Sequence, residues 1–397
     1  MRGFKRWLGG TEPSVSLVCA VYGVERYLPR FFASLDAQDL PHERLQVVLV
    51  LDGACDNSPA ICREWAKQTD IAVQVVEVGN GGQGRARNIG IREARGEWIG
   101  FPDPDDVLEP GFLKALLGSR TRGAGMLIGR TIIQQDGRDR PHPLDFRFEH
   151  GVLEVDVKRQ PVAVQLSVHE CLVRADLARR CSFPEARGAP TFEDACFVGQ
   201  VRGLNSRAVL VPQAVYRYEK RSTGDSAVQS AWAKPGRYLE QMTTRYLPYL
   251  EAAGGAEWAQ QAVLYDLGWY FMNVDKGTMP TEPEGIGAEH VRLMRELVAQ
   301  LDPRLVVTCP WGHLSASARA RILLMQGWEE VAVVKDDKVV ELYTAAAPAE
   351  ATSTTPANYG TQSVGFVTVG ADAEETYSGG HVPRVPVWPR RPRLVVP

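Results

Sequence analysis

The sequence predicts an α/β fold in which a mostly parallel sheet is covered by helices on both faces. Two observations support this prediction. Short apolar strands alternate with amphipathic helices over about the first hundred residues, and this order produces right-handed βαβ crossovers. Several strands are also nearly continuous apolar runs, as expected where a sheet is buried on both faces.

Four strands and three helices are expected in this region. The strands are residues 14–22, 45–51, 72–78 and 98–101, and the helices are residues 25–38, 58–68 and about 85–94. Apolar residues at helical spacing indicate the first helix, and Ser58 at the cap followed by Pro59 marks the start of the second. Polar residues follow three of the strands, namely Asp52, Asn80 and the aspartates from Asp103 onward. Because ligands collect at the carboxyl ends of parallel strands, these groups are expected in one crevice.

The character of the chain changes after about residue 218, and three parts are expected. Residues 1–230 form the α/β domain, residues 231–328 a mainly helical domain, and residues 329–397 a short β-containing, proline-rich segment. Within the last two parts, a helix is expected at 315–326, a β-hairpin at 330–343, and isolated strands at 365–369 and 385–396. The many aromatic residues of the helical part indicate a core, with a homo-oligomer contact or an acceptor surface as the alternatives.

Composition excludes several classes of protein. The chain has 397 residues, a net charge of −3, 44% hydrophobic and 23% charged residues, all ordinary for a globular protein of two or more domains. No basic stripe indicates a nucleic-acid partner. The seven cysteines lack the spacing of a zinc site or disulfide framework, and no apolar run is long enough for a signal peptide or membrane span. A cytoplasmic chain is therefore expected, with peripheral association at the inner face of the membrane as an alternative.

The strongest single motif is Asp103-Pro104-Asp105-Asp106, at the end of the fourth strand. Three carboxylates within four residues repel one another, and a cation is the simplest way to keep them together. Oxygen ligands favour Mg²⁺ or Mn²⁺. The alternative is an exposed turn or helix cap, since proline and aspartate favour both positions.

Two further segments could serve the same crevice. Residues 80–88, which contain three glycines after Asn80, could bring backbone amides and Arg87 to phosphates at a helix start; a simple tight turn is the alternative. Glu193-Asp194 adds carboxylates at the start of another helix, where acidic residues are also favoured without any function. Arg221 and Ser226 lie in a basic loop that could close over a diphosphate or be solvated surface.

Five motifs, in order, resemble those of the inverting family 2 glycosyltransferases of the GT-A fold. They lie in VSLVCAVYGVERYLPRFFASLDAQ, VVLVLDGACDNS, NGGQGRARNIGIREARGEWIGFPDPDD and FED. The resemblance covers about residues 15–226. Within the family, the NGG-x-G-x-x-RN loop, the FED element and WGHLSASARARILLMQGWEEVAVVKDDKVVELY are most similar to bacterial poly(ribitol phosphate) N-acetylglucosaminyltransferases, which also carry a helical region after the catalytic domain.

The resemblance implies a role for each matching residue. The residues implied to contact the nucleotide-sugar are Ala20, Val21, Asp52, Asn80, Arg87, Asp103, Pro104, Asp105, Arg221 and Ser226. Asp103 and Asp105 resemble the DxD pair that holds Mn²⁺ or Mg²⁺, with Asp105 as the direct ligand, and Asp194 corresponds to the general base. The chain departs from the family at Ala20-Val21-Tyr22-Gly23, where Pro-x-Tyr-Asn is usual, and at Leu51-Asp52, where Asp-Asp is usual.

The implied function is inverting transfer of a sugar from a UDP-sugar, best N-acetylglucosamine or another hexose, to a polymer hydroxyl. The acceptor is a cell-surface polysaccharide or polyol-phosphate polymer such as teichoic acid or capsule. Two alternatives stay open: a carbohydrate-binding or scaffolding protein without turnover, and a transferase that uses another nucleotide-sugar for polymer synthesis. A phosphohydrolase or nucleotidyltransferase is disfavoured, because the sequence offers neither a nucleophile nor a second metal cluster.

Overall fold

The computed structural model describes residues 13–185, 191–220, 234–277, 287–328, 330–335, 338–344 and 393–395. The chain divides into two compact units, Met1–Ser230 and Ala231–Pro397. In the parts of the chain that are described, no helix combines the length and apolar character that crossing a membrane requires.

The first unit begins with four parallel strands and the helices that connect them. The strands are β1 (Val15–Val21), β2 (Leu45–Asp52), β3 (Ala72–Val78) and β4 (Trp98–Gly100), and the helices are α1 (Leu28–Asp36), α2 (Ser58–Gln68) and α3 (Gln83–Glu93). They pair in the order β3-β2-β1-β4. All eight residues of β2 are buried, which explains its unbroken apolar sequence.

Helix α2 begins one residue earlier than the cap assignment predicted. Asn57 occupies the cap position and Ser58 is already helical. The Ser58 hydroxyl donates to Asp56 Oδ2 (2.9 Å) and accepts from the Val24 amide (3.3 Å). It therefore ties the loop after β2 to the loop after β1 instead of capping its own helix.

The second half of the same sheet is mixed in direction. It adds β5 (Val107–Leu108), α4 (Phe112–Gly118), β6 (Met126–Gln135), β7 (Arg138–Pro141), β8 (Leu153–Asp156), β9 (Cys171–Arg174), α5 (Ala175–Ala178), α6 (Glu193–Leu204) and β10 (Arg207–Glu219). Strand β9 runs antiparallel between β4 and β6, and β10 runs parallel to β6 but antiparallel to β5 and β8. The α/β prediction is confirmed: β3-β2-β1-β4 are all parallel, and the second half of the sheet adds one more parallel pair, β6 with β10, among antiparallel ones.

Two hydrophobic clusters cover the two faces of this sheet. Leu17 and Cys19 of β1 point into one cluster, and Val18 between them points into the other. The second cluster contains a stack of aromatic rings, in which Phe183 and Phe197 lie 4.1 Å apart. This stack packs beside the functional residues described below.

The second unit is mainly helical. It contains α7 (Leu247–Ala252), α8 (Glu257–Asp275), α9 (Gly287–Val298), α10 (Pro303–Thr308), α11 (Ala316–Met325), β11 (Glu330–Lys335), β12 (Lys338–Thr344) and β13 (Arg393–Val395). Strands β11 and β12 form the antiparallel hairpin expected at residues 330–343. The strand expected at residues 365–369 lies outside the described residues. Helix α8 is buried on most of its circumference and forms the centre of this unit.

A buried histidine lies inside the second unit. The His290 ring contacts the Tyr238 carbonyl oxygen (2.8 Å) and the Tyr270 hydroxyl (2.9 Å). Burial lowers the pKa of His290, and the nearby Arg237 charge acts in the same direction. The folded unit therefore favours the neutral imidazole.

Candidate active site

Asp52, at the end of β2, holds the glycine-rich loop that follows β3. Its side chain is buried, Oδ1 accepts a hydrogen bond from the Gly81 amide (2.8 Å), and Oδ2 accepts one from the Gly82 amide (2.8 Å). The Asp52 carbonyl accepts a third from the Asn80 side chain (3.1 Å). Asp52 thus holds the glycine-rich loop in place, and its contact with the nucleotide-sugar stays a prediction.

Glycine is required at position 53, directly after Asp52. Gly53 has φ +67°, a left-handed conformation, and a Cβ there would lie 2.6 Å from the Asn80 backbone nitrogen. Next to the glycine-rich loop, a cavity of about 580 Å³ is lined by Gly79, Asn80, Gly81, Arg85 and Glu185. Asn80 is therefore exposed at the carboxyl end of β3, where the sequence placed it.

Arg87, on the first turns of α3, joins two of the predicted carboxylates. Its side chain is only 2% exposed. One terminal nitrogen donates to Asp103 Oδ1 (2.8 Å) and the other to Asp194 Oδ1 (2.5 Å). The guanidinium also lies 5.2 Å from the centre of the Phe183 ring. Because both terminal nitrogens bind protein carboxylates, Arg87 positions Asp103 and Asp194, and its contact with phosphate stays a prediction.

The three aspartates that follow β4 have separate surroundings. Asp106 is 1% exposed and accepts hydrogen bonds from the Tyr216 hydroxyl (2.9 Å) and the Glu219 amide (2.8 Å). Burial, reinforced by the charges of its two aspartate neighbours, raises the pKa of Asp106 well above its usual value. Asp106 therefore anchors β10, while Asp103 and Asp105 are half-buried and flank the buried Pro104.

Asp103 is fixed on several sides. Its Oδ1 accepts from Arg87 and from the Gln83 side chain (3.1 Å), and its amide donates to the Tyr216 hydroxyl (3.0 Å). Burial raises the pKa of Asp103, and the Arg87 charge opposes that effect. With 25% of its side chain exposed, Asp103 remains accessible to a ligand.

Asp194 lies in the first turn of α6, next to a strained residue. Phe192, immediately before the helix, has φ +80°, which is uncommon for any residue except glycine. Asp194 Oδ2 accepts a weak hydrogen bond from the Val168 amide (3.3 Å), and its side chain is 20% exposed. The left-handed backbone of Phe192 before the helix and the ion pair with Arg87 together set the position of the Asp194 carboxylate.

The remaining predicted contacts are placed as follows. Ala20 is half-buried at the end of β1, and the Val21 side chain is buried in the core, so only the Val21 backbone can face a nucleotide. Arg221 and Ser226 lie outside the described residues.

The sequence interpretation missed His169 and Glu170, which come just before β9. The His169 ring lies 4.0 Å from Asp103 Oδ2 and 3.4 Å from Glu170 Oε2. No motif spacing marks these residues. Their position beside Asp103 depends on β9 entering the sheet antiparallel to β4, which the alternation of strands and helices did not predict.

The glycosyl transferase family 2 model matches residues 16–180, which contain β1 to β4, the glycine-rich loop and the aspartate pair. Residues 16–180 are a family 2 glycosyltransferase domain. Asp194 and the end of β10 lie beyond the matched range and extend the site of this domain.

Several proteins are similar to the chain that carries the family 2 domain. The minor teichoic acid biosynthesis protein GgaB of Bacillus subtilis is 26% identical over 299 residues, which are 74% of this chain and 33% of GgaB. The poly(ribitol-phosphate) beta-N-acetylglucosaminyltransferase TarS of Staphylococcus aureus is 25% identical over 57% of this chain and 39% of TarS. The chain thus spans a third to two fifths of these relatives.

A solved structure supports the fold. The crystal structure of S. aureus TarS residues 1–349 in complex with UDP-GlcNAc matches with a TM-score of 0.61 and 20% identity, covering 79% of this chain and 87% of that one. The expected GT-A-like α/β fold of the family 2 domain is thereby confirmed.

Proposed function

We propose that the chain is a metal-dependent, inverting glycosyltransferase that moves a sugar from a UDP-sugar to a hydroxyl of a cell-surface polymer. The observation that carries this proposal is the Arg87 guanidinium, which binds Asp103 and Asp194 at once. It brings a candidate metal ligand and a candidate base to one point at the carboxyl end of the sheet. A protein that only binds carbohydrate needs no such base.

Asp103 and Asp105 would hold the cation, Mg²⁺ or Mn²⁺. Within the described ranges, no group of three or more His, Cys, Asp or Glu side chains is arranged to hold a metal ion. Two partly exposed carboxylates nevertheless fit Mg²⁺, which usually keeps several waters and is bound through one or two carboxylates and substrate phosphates. The bound ion would neutralise the charge that develops on the departing UDP.

Asp194 is proposed as the general base. Its carboxylate accepts the proton of the acceptor hydroxyl while that oxygen forms a bond to the anomeric carbon, and the bond from this carbon to the UDP oxygen breaks on the opposite face. The configuration at the anomeric carbon inverts, and the products are the glycosylated acceptor, UDP and a proton on Asp194. Arg87 acts as a positioning residue, because it fixes Asp194 relative to Asp103.

The donor and the acceptor are proposed from chemistry and from the relatives together. TarS is named for transfer of N-acetylglucosamine to poly(ribitol-phosphate), and GgaB for teichoic acid biosynthesis. A UDP-linked N-acetylhexosamine or hexose donor and a polyol-phosphate acceptor are therefore the first pair to test. Capsule-like polysaccharides are the second class of acceptor.

The experiment is a thermal-shift screen of UDP, GDP and CDP, each with Mn²⁺ and with EDTA, followed by transfer assays with UDP-sugars. A ligand at about 100 times its Kd stabilises a protein by about 2.7 kcal/mol, which is readily measured. We expect UDP with Mn²⁺ to stabilise the protein, and most of this stabilisation to disappear in EDTA. Stabilisation by no nucleotide, or equal stabilisation with EDTA, would contradict the metal-dependent donor site.

A further inference from the structure

We propose that His169 is a positioning residue for Asp103, and that its Nδ1 side orients this carboxylate for the cation. The inference rests on the proposed function, because it concerns how the same site holds its metal. Asp103 follows β4 and His169 precedes β9, and these two strands pair antiparallel, so the approach of the two side chains is a product of the fold and not of sequence proximity.

The geometry leaves one oxygen of Asp103 for His169. Asp103 Oδ1 already accepts from Arg87 and Gln83. The His169 Nδ1 atom instead faces Oδ2, at 4.0 Å, which is the outer limit of an ion pair. Hydrogen bonds in ligand-free active sites are often long and shorten when the substrate binds. His169 is therefore placed to hold the second oxygen when the donor arrives.

Two tyrosines fix the plane of the His169 ring. It stacks on Tyr216, with ring centres 4.7 Å apart and planes 28° apart, and on Tyr218, at 5.9 Å and 12°. Tyr216 also accepts the hydrogen bond from the Asp103 amide. The same tyrosine thus contacts both partners and sets the direction in which Nδ1 points.

Glu170 supports the other side of the ring. Its Oε1 accepts from the side chains of Gln165 (2.7 Å) and Ser167 (2.9 Å), which fixes the carboxylate. Its Oε2 lies 3.4 Å from His169 Nε2, and in the described part of the chain neither atom has a hydrogen-bond partner. The His169 ring therefore has the Asp103 carboxylate near Nδ1 and the Glu170 carboxylate near Nε2. Such outer partners orient metal ligands in known sites.

A purely structural role for the ring makes a different prediction. If His169 only packs on the tyrosines, phenylalanine replaces it without effect on the cation. Asparagine keeps a donor near the position of Nδ1 but loses most of the stacking. Glutamine reaches the position of Nε2, beside Glu170, but keeps no donor at Nδ1. These three substitutions therefore separate the stacking from each nitrogen.

The test measures Mn²⁺ affinity in the presence of saturating UDP, by electron paramagnetic resonance of free Mn²⁺, in the full chain. We expect His169→Phe and His169→Gln to weaken Mn²⁺ binding about 10- to 100-fold, the range found for outer-shell substitutions, and His169→Asn to keep most of the wild-type affinity. His150→Gln, at an exposed histidine, is the matched control and leaves the affinity unchanged.

The possible results distinguish the two proposals. Wild-type affinity in His169→Phe, or equally weak binding in His169→Asn and His169→Phe, overturns the positioning role. If His169→Phe does not fold, the comparison of His169→Asn with His169→Gln decides, and equal affinities overturn the role. If the wild-type chain itself binds no Mn²⁺ with UDP, the proposed function fails; if it binds and every variant matches it, only the role of His169 fails.

Discussion

Replacing Arg87 with methionine tests whether one buried guanidinium holds the two candidate catalytic carboxylates together. Methionine keeps the apolar stem beside Phe183 but removes both ion pairs. Breaking a buried ion pair by removing one partner typically costs about 3–5 kcal/mol. Because Asp103 and Asp194 keep 25% and 20% of their side chains exposed, water can partly solvate them. We therefore expect the lower end of the range, about 3 kcal/mol of lost stability in the first unit.

The assay is urea denaturation followed by far-UV circular dichroism, fitted with separate transitions for the two units. Arg92→Met, on the exposed side of the same helix, is the matched control and should change stability by less than about 0.5 kcal/mol. Adding Asp194→Asn to Arg87→Met should recover part of the loss, because one uncompensated charge disappears. A loss below about 1 kcal/mol in Arg87→Met would refute the bridging role, since surface ion pairs already reach that value.

Three other contacts can each be tested by a single substitution. Gly53→Ala should destabilise the first unit by at least about 1–2 kcal/mol and weaken UDP binding, because a left-handed residue would acquire a Cβ against the Asn80 backbone. Tyr216→Phe should cost about 1–3 kcal/mol, since it removes the hydroxyl that donates to buried Asp106 Oδ2 and accepts from the Asp103 amide, and leaves Asp106 with the Glu219 amide as donor. His290 has a lowered pKa in the folded state, so the second unit should lose stability as the pH falls below about 6.5, and His290→Gln should reduce this dependence.

Each of these predictions has a measurement that can contradict it. If Gly53→Ala has the wild-type urea midpoint, glycine at position 53 is dispensable. If Tyr216→Phe has the wild-type midpoint, the contact between Tyr216 and Asp106 is dispensable. For His290, denaturation at about pH 7.5 and about pH 5 gives the change in the free energy of unfolding of the second unit with pH. An equal pH dependence in His290→Gln and the wild-type chain would place its origin elsewhere in the second unit.

The local pattern was sufficient to predict the first half of the sheet. Strand β3 coincides with the predicted residues 72–78, and β2 extends the predicted run by one residue, to Asp52. Strand β2 is apolar because all of its residues are buried, whereas β3 ends the sheet and is mostly half-buried. In both strands, neighbouring residues of the sequence carry the pattern that predicts the strand. Strands β5 and β9 have two and four residues and pair with distant segments. Their positions depend on tertiary packing that no local pattern carries.

In the candidate site, too, the local sequence pattern predicted some features, while others depend on tertiary packing. Strand ends placed Asp52, Asn80 and Asp103 together, because parallel strands deliver their carboxyl ends to one edge. The partners of these residues were not predictable. Arg87 has the sequence position of a phosphate-binding residue but turns inward to two carboxylates, and Phe192 adopts a left-handed conformation that only packing around it can impose.

Asp194 is proposed as the base of the sugar transfer, while other residues of the same site bind the donor. The most direct test is the transfer rate of Asp194→Asn with a UDP-sugar and Mn²⁺, together with its affinity for UDP. We expect nearly unchanged UDP binding and a turnover reduced about 10²- to 10⁴-fold, as is typical when a general base is lost. Nearly full transfer activity in Asp194→Asn would contradict this role of Asp194.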